Sequence, residues 1–306
     1  MSGVRTQSGA ALNAPVERSE PRFNIRDYAT LLKPRVMSLV VFTAMVGLVI
    51  APGQPSLALA LVAIACIALG AGAAGAINMW YDRDIDLVMM RTMNRPLPAG
   101  RLQPRAALIF GTALAAASVA LMAVVVNTVA AALLALTIVY YVFVYTVWLK
   151  RRTPQNIVIG GASGAMPPVL GWAAMRGDLG PEAWLLCLII FLWTPPHFWA
   201  LALYRAEDYA RAGLPMLPVT HGNDYTRLQI LLYTWVLFAA TLLPFLTGMS
   251  GWFYLVSAVA LGLGFCGYAF RLWRAYSEML ARRTFWFSIW HLSLLFAALL
   301  IDHYLP

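Results

Sequence analysis

Charged side chains are scarce in this chain: Asp, Glu, Lys and Arg together make up 11% of its 306 residues. A soluble domain typically carries about 25% of such residues. Hydrophobic residues account for 61% of the sequence, so the composition excludes an ordinary soluble enzyme and predicts a membrane protein surrounded by a lipid bilayer. The net charge of +9 does not indicate a nucleic-acid partner, because the basic residues lie between apolar runs and not on a polar module.

Cysteine is also rare. The three cysteines, Cys66, Cys187 and Cys266, each lie inside an apolar run, and the sequence contains no CxxC pair. This pattern excludes a disulfide framework and argues against a zinc site built from cysteines.

The N-terminal residues lack the apolar core of a signal peptide, and Glu17 and Glu20 are atypical of transit peptides. We therefore expect a polar, partly disordered cytoplasmic arm over residues 1–27 and a membrane domain over residues 28–306. The lack of an organelle-targeting pattern favours a bacterial inner (plasma) membrane as the location.

Long apolar runs are abundant, and nine of them have the roughly 20 residues that a helix needs to cross a bilayer. If nine spans alternate across the membrane, 21 of the 22 Lys and Arg residues fall on one side, and only Arg176 falls on the other. The positive-inside rule then places the N-terminus in the cytoplasm and the C-terminus in the periplasm. The predicted fold is an all-α, polytopic bundle of nine transmembrane helices, with spans near residues 34–51, 56–80, 106–126, 128–148, 156–175, 182–203, 228–248, 251–270 and 285–304.

Three polar residues at the end of the second run, Asn78, Asp82 and Asp86, are spaced four apart. On an α-helix each step of four turns the face by only about 40°, so the three side chains form one stripe, while Asp84 points elsewhere. Carboxylates at this depth are costly without a cation. Mg²⁺ takes carboxylate oxygens and completes its shell with water and phosphate. The stripe therefore predicts a Mg²⁺ site, with an ordinary solvated loop of local ion pairs as the alternative.

Basic residues near this stripe suit a phosphate-bearing ligand. Arg91, Arg95 and Arg101 follow it in the same loop, and Lys150 and Arg151 lie at the corresponding end of the fourth run. Guanidinium groups match the geometry of phosphate oxygens. Beside an apolar bundle, these charges indicate a ligand with a diphosphate head and an apolar tail. The alternative for Lys150 and Arg151 is simple anchoring at the membrane interface.

With this motif the chain resembles the UbiA superfamily of intramembrane prenyltransferases. That superfamily has NxxxDxxxD at the end of its second helix, matched here by Asn78, Asp82 and Asp86, and an RPLP-type segment, matched by Met93 to Pro98. The resemblance covers about residues 27–304. It implies a UbiA-type bundle with a central cavity that opens to the cytoplasmic side.

Three further stretches are similar to the haem-directed farnesyltransferase branch of that superfamily: residues 145–161, residues 193–199 and residues 208–218. This resemblance implies transfer of a farnesyl group from farnesyl diphosphate to a vinyl group of haem B (protohaem IX), with addition of water. The product would be haem O, an intermediate on the way to haem A for terminal oxidases. Mg²⁺ would be bound with the diphosphate, and haem B would be a substrate and not a cofactor. Haem A synthase or oxidase assembly factors are the further partners implied.

The resemblance also implies roles for individual residues. The implied catalytic residues are Asp82, Asp86, Lys150 and Tyr145. The implied metal ligands are Asn78, Asp82, Asp86 and Asp208. The implied substrate-binding residues are Asn78, Arg91, Arg95, Arg151, Asn156, His197, Arg205, Asp208 and Tyr209.

Two points stay open. Many superfamily members carry a second aspartate-rich motif, but here Asp208 is the clear acid, with Glu207 beside it and about 100° away on a helix. Either one or two Mg²⁺ ions therefore remain compatible with the sequence. His197, beside Pro195 and Pro196, either ligates or otherwise serves haem, or hydrogen-bonds a carbonyl that the prolines free.

Two competing functions also remain. Another prenyl acceptor, such as hydroxybenzoate, naphthoate or chlorophyllide, would suit the same first motif, although the aspartate-poor second loop argues against it. A transporter would explain the prolines that interrupt two spans, but transporters usually place ionisable groups near the bilayer midplane.

Overall fold

The structure is a computed structural model that describes residues 24–54 and 56–305, and helices are the only regular elements in those two ranges. Most helices begin at a residue suited to that position: Ser56, Asn127 and Ser277 accept a hydrogen bond from a backbone N–H of the first turn, and several others carry proline there. The helices are α1 (Ile25–Leu31), α2 (Pro34–Ile50), α3 (Leu57–Tyr81), α4 (Arg83–Val88), α5 (Pro104–Leu121), α6 (Thr128–Val139), α7 (Asn156–Ala165), α8 (Pro167–Arg176), α9 (Pro181–Leu203), α10 (Ala206–Arg211), α11 (Leu217–Leu246), α12 (Trp252–Arg274) and α13 (Glu278–His303).

Two of these helices continue as π-helix. The first extension, Met122–Val126, follows α5, and the second, Tyr140–Leu149, follows α6. In the second, the Lys150 amide donates to the Tyr145 carbonyl five residues earlier, at 2.9 Å. Such wide turns are rare and frequently occur at functional sites.

The number of membrane spans agrees with the sequence. Within the described residues, eight helical segments are long and apolar enough to cross a bilayer, and α1 with α2, bent by 53°, forms a ninth if the pair is one span. The chain is therefore a multi-pass membrane protein. Two helices start well before the apolar runs do, α11 at Leu217 and α13 at Glu278, because polar residues continue the helix beyond the membrane-length segment.

Several connections gather at one end of the bundle, hereafter the charged end, defined by residues 82–103, 150–155, 204–216 and 275–277. Arg151 bonds Asp84 at 2.7 Å, which joins two of these connections. Ile85 and Tyr209 share one apolar cluster, which joins the first to the third. The Tyr276 hydroxyl donates a hydrogen bond to the carbonyl of Leu203 at 3.3 Å, which joins the fourth connection to the start of the third. The spans therefore alternate in direction.

Close helix packing in the interior depends on small residues. A Cβ on Gly47 of α2 would lie 2.2 Å from the Pro168 carbonyl oxygen, and one on Gly171 of α8 would lie 2.0 Å from the Ala44 carbonyl oxygen. Only glycine lets the two backbones approach so closely, as is common between membrane helices. This contact joins α2 to α8.

The break between α1 and α2 occurs at Lys33, a non-glycine residue with a left-handed backbone (φ 52°). Pro34 follows it, and a residue before proline is disfavoured in the right-handed helical region. The chain therefore turns at Lys33 and starts a new helix. The predicted arm over residues 1–27 lies mostly outside the described residues, and α1 begins within its last few positions.

Candidate active site at the charged end

Asn78, Asp82 and Asp86 form one buried stripe at the charged end. Asp82 is 1% exposed. The helix does not run unbroken through the motif: α3 ends at Tyr81, and Asp82 (φ −86°, ψ 7°) separates it from α4. Helix-type hydrogen bonds nevertheless continue across the break, from the Asp82 amide to the Asn78 carbonyl and from the Asp86 amide to the Asp82 carbonyl, both at 2.9 Å. The four-residue spacing therefore still places the three side chains on one face of the helical segment.

Cationic side chains from two segments, residues 82–103 and 150–155, surround this stripe. Lys150 forms an ion pair with Asp82, and Arg95 Nη1 forms one with the Asp86 carboxylate at 2.7 Å. Asp82 also lies 3.7 Å from Arg151 Nη2. Two buried carboxylates are thus matched by three long basic side chains, as buried charges require. Arg91, by contrast, is an exposed side chain of the same loop.

Asp84 points away from the stripe, as the helical spacing predicts. Its side chain is 59% exposed and accepts two hydrogen bonds of 2.7 Å from Arg151. This paired guanidinium lowers the pKa of the Asp84 carboxyl below its usual value. Asp84 therefore forms an exposed ion pair with Arg151 outside the buried stripe.

Lys33 is part of the site, although its sequence context did not predict this position. Its Nζ donates to Asn78 Oδ1 at 2.9 Å across 45 residues of sequence. Asn78 Nδ2 in turn donates to Asp82 Oδ2 at 2.7 Å and to Thr146 Oγ1 at 3.1 Å. The only sequence signal was a lysine directly before Pro34, which looks like one more charge that sets membrane orientation.

Two buried oxygens at this site have no hydrogen-bond donor: Asp82 Oδ1 and Asn156 Oδ1. Leaving such atoms unpaired in a dry interior is costly. Oxygen atoms of this kind are the ligands that Mg²⁺ prefers, so the Asn78–Asp82–Asp86 stripe fits a Mg²⁺ ion. Within residues 24–54 and 56–305, no three His, Cys, Asp or Glu residues form a metal-holding group by themselves. A substrate or water would have to complete the coordination.

The second loop contributes a separate acidic residue, Asp208 of α10. It is buried and pairs with Arg211 at 3.1 Å and with Arg205 at 3.6 Å. Its neighbour Tyr209 packs with Ile85 in the cluster that joins the two loops. Asp208 therefore belongs to a loop that packs against α4, and Arg205 and Arg211 hold its carboxylate.

Tyr145, the predicted catalytic tyrosine, packs against α7. A Cβ on Gly160 would lie 2.1 Å from Tyr145 Cδ2, so the ring occupies space that only glycine leaves free. Tyr141 lies next to it, with ring centroids 5.3 Å apart. Asn156 begins the same helix, and its Nδ2 donates to the Thr153 carbonyl at 2.6 Å. Tyr145 lies one turn before Lys150, and Tyr141 lies about one turn further into the span.

His197 lies deeper still, inside α9. Its ring is stacked between Trp193 and Phe285, with centroids 4.2 Å and 4.6 Å away. Nδ1 is 2.7 Å from Ser288 Oγ of α13. The two prolines before it do not interrupt α9, which runs from Pro181 to Leu203. His197 thus contacts a side chain of α13, and not a backbone carbonyl freed by those prolines.

The sequence profile of the UbiA prenyltransferase family matches residues 40–294. The protoheme IX farnesyltransferase of Methylibium petroleiphilum is 67% identical to this chain over 284 residues, which cover 92% of this chain and 91% of that protein. Among solved structures, a digeranylgeranylglyceryl phosphate synthase aligns with a TM-score of 0.76 at 16% identity, covering 91% of this chain and 98% of that one.

A UbiA homologue from Archaeoglobus fulgidus, bound to DMAPP and Mg²⁺, aligns with a TM-score of 0.63 at 18% identity, covering 89% of this chain and 99% of that one. At these identities the likeness to solved structures concerns the fold alone. The family match and the highly similar relative together confirm the resemblance seen in the motifs. The chain belongs to the UbiA prenyltransferase family and is a membrane-embedded prenyltransferase.

Proposed function

We propose that the enzyme transfers the farnesyl group of farnesyl diphosphate to a vinyl group of haem B, with addition of water, to give haem O and diphosphate. The geometric observation that carries the proposal is a pair of buried carboxylates, Asp82 and Asp86, surrounded by cations at the end of an apolar bundle. The choice of haem B as acceptor rests on the name of the relative from M. petroleiphilum.

The diphosphate would bind among the basic side chains of the charged end. Lys33, Arg95, Lys150 and Arg151 come from three different segments and converge on the stripe. Each has donor hydrogens beyond those already used, because an ammonium has three and a guanidinium has five. These groups can therefore contact phosphate oxygens while they keep their present partners.

Asp82 and Asp86, with Asn78, would hold Mg²⁺, and Asp208 is a further candidate ligand from the opposite loop. Oδ1 of Asp82 is buried and accepts no hydrogen bond, which supports this assignment. When bound, Mg²⁺ would neutralise the charge that develops on the leaving diphosphate. The Mg²⁺ and DMAPP bound by the A. fulgidus homologue give further support.

The chemistry balances without any oxidant or reductant. The bond between farnesyl C1 and the diphosphate oxygen breaks, and C1 forms a bond to the terminal vinyl carbon of haem B. Water adds to the other vinyl carbon and releases a proton. The ring of Tyr145, one turn before Lys150, and that of Tyr141, one turn further into the span, would stabilise the allylic cation, since aromatic rings attract cations.

The cavity would open to the cytoplasm, because nine alternating spans put 21 of the 22 Lys and Arg residues of the sequence on the same side of the membrane as the charged end. The N-terminus would then lie in the cytoplasm and the C-terminus in the periplasm, with the protein in a bacterial inner membrane. The product would pass to haem A synthase or to oxidase assembly factors.

The test is to incubate the purified protein with haem B, farnesyl diphosphate and Mg²⁺ and to detect haem O by mass spectrometry. We expect the product only when all three are present, and its loss when a chelator removes Mg²⁺. Parallel reactions replace haem B with hydroxybenzoate, naphthoate or chlorophyllide. Prenylation of one of these acceptors without any haem O would overturn the proposal.

A further inference from the structure

We infer that Ser288 is a positioning residue that fixes the tautomer of His197, so that His197 Nε2 is the axial ligand of the iron of the acceptor haem. This inference rests on the proposed function, because it assigns a place to the haem acceptor. Its evidence is the hydrogen-bond arrangement between α9 and α13, which involves neither the carboxylate stripe nor the basic residues of the charged end.

The direction of the hydrogen bond between the two residues follows from the single proton of the serine hydroxyl. Ser288 Oγ donates that proton to the Phe285 carbonyl at 2.6 Å. The same oxygen lies 2.7 Å from His197 Nδ1. With its only proton committed, Ser288 Oγ can only accept here, so His197 Nδ1 must carry the hydrogen. In the neutral imidazole, Nε2 then has a free lone pair.

The packing of the ring covers its two faces and its Nδ1 edge. Trp193 and Phe285 lie against the faces, with centroids 4.2 Å and 4.6 Å away, and Ser288 covers the Nδ1 edge. Phe198 packs edge-on against the ring, with its centroid 5.1 Å away. His197 is 8% exposed, and its Nε2 is not fully buried, so a ligand would approach the ring at Nε2.

Hydrogen bonds also hold the two helices that surround the His197 ring. Trp193 Nε1 donates to the Ser288 carbonyl at 2.7 Å, so α9 and α13 are joined by two side-chain hydrogen bonds within one turn. Ser288 is fully buried. A ring nitrogen oriented by a hydrogen bond from the opposite nitrogen is the usual arrangement of a histidine that ligates a metal.

A second buried histidine on α13 gives an internal contrast. His291 Nδ1 lies 3.3 Å from the Leu261 carbonyl, so this ring also carries its hydrogen on Nδ1. Its Nε2, however, is completely buried and has no partner. His291 thus has the same tautomer but no accessible edge, which makes it a matched control.

The experiment measures haem B binding to the purified full-length protein by its visible absorption spectrum, in the absence of farnesyl diphosphate. His197→Gly is expected to lose the bands of histidine-ligated haem, and added imidazole is expected to restore them. His291→Gly should keep the wild-type spectrum with or without imidazole. Unchanged bands in His197→Gly would overturn the inference.

Ser288→Ala tests the positioning role. Without the acceptor for Nδ1–H, we expect haem affinity to fall roughly 10–100-fold, the usual effect of removing the partner of a ligating histidine. Ser288→Thr keeps the hydroxyl and should restore affinity and spectrum. Wild-type affinity and spectrum in Ser288→Ala would overturn the inference, and so would a folded Ser288→Thr variant as impaired as Ser288→Ala.

Failure of this inference can be told apart from failure of the proposed function. Formation of haem O by the wild-type protein, together with an unchanged haem spectrum in His197→Gly, would overturn the inference and leave the function standing. A wild-type protein that neither binds haem B nor forms haem O would overturn both.

Discussion

The two carboxylate oxygens of Asp82 have different surroundings. Oδ2 faces Lys150 and Asn78, whereas Oδ1 is fully buried and has no hydrogen-bond donor. Removing the charge of this group leaves Lys150 partly buried without its counter-ion and would remove one of the proposed metal ligands. We expect Asp82→Asn to lower the rate of haem O formation by about 100-fold or more, comparable to loss of a strong electrostatic catalytic group.

Asp84→Asn is the matched control for that variant. Asp84 has the same side chain two residues away, but it is largely exposed and pairs with Arg151 on the surface. Exposed ion pairs contribute little, so we expect less than about a fivefold loss. Equal losses in the two variants would contradict a metal-binding role specific to Asp82.

Lys33 allows a second prediction about a single residue. Its ammonium contacts Asn78, and a diphosphate beside the stripe would lie within its reach. A hydrogen bond to a charged group is worth about 1.5–3 kcal/mol, so Lys33→Met should lower kcat/KM for farnesyl diphosphate roughly 10–100-fold. Arg35→Met is the control, because Arg35 is an exposed residue of the same segment. An equal effect of the two changes would indicate a general loss of positive charge.

The sequence predicted the acidic stripe but not Lys33, and the reason is physical. Asn78, Asp82 and Asp86 are related by the period of one helix, so local spacing alone groups them. Lys33 joins them only because the chain breaks before Pro34 and α1–α2 pack beside α3. A contact across 45 residues depends on tertiary structure, which no local pattern encodes.

At the level of helices, α7 separates the tyrosine-bearing π-helical segment from α9. Gly160 faces Tyr145, and a Cβ on the next residue, Gly161, would lie 2.8 Å from Thr194 Cγ2. Two adjacent glycines therefore let α7 fit between its neighbours. The position of the Tyr145 ring therefore depends on this fit.

Gly160→Ala should therefore displace Tyr145. The added Cβ would lie 2.1 Å from the ring, so the ring or the helix must move, and forced overpacking typically costs about 1–3 kcal/mol. We expect a lower thermal unfolding temperature in detergent and a lower rate of haem O formation.

Gly164→Ala, four residues later on the same helix, is the control for Gly160→Ala. Its Cβ would meet open space, so the higher helix propensity of alanine should leave stability unchanged or slightly raised. Destabilisation by both substitutions would show that α7 requires flexibility and not space.

Hydropathy located the spans but not every helix end. The run predicted near 182–203 agrees with α9, whose start is marked by Pro181. By contrast, α11 begins at Leu217 and bends at Gly222 (φ 80°) before it becomes apolar. The π-helical turn ending at Leu149 was also not predicted. Hydropathy reports immersion in lipid, whereas helix ends and wide turns depend on local hydrogen bonds.

For the whole molecule, the distribution of charge and the position of the site coincide. Lys33, Arg95, Lys150 and Arg151 approach Asn78 and the buried carboxylates at one end. Basic residues that set orientation are retained in the cytoplasm because translocating them is unfavourable. The same side chains can therefore both fix topology and bind phosphate, which explains why a surplus of basic residues alone did not distinguish the two roles.

Orientation can be measured by thiol labelling of intact cells. Gln155→Cys places a thiol on an exposed residue of the charged end, and Leu179→Cys places one on the connection between α8 and α9 at the other end. If the charged end faces the cytoplasm, a thiol reagent that crosses the outer membrane but not the inner one should label Leu179→Cys at once. Gln155→Cys should react only after permeabilisation.

The native protein supplies the background for this measurement, since Cys66 and Cys266 are buried and Cys187 lies within α9. Labelling of Gln155→Cys in intact cells, with Leu179→Cys protected, would reverse the assigned orientation. It would also place the Asp82 site on the periplasmic side, away from a cytoplasmic supply of diphosphate substrate. Because orientation and substrate access depend on the same charged end, one labelling pattern tests both.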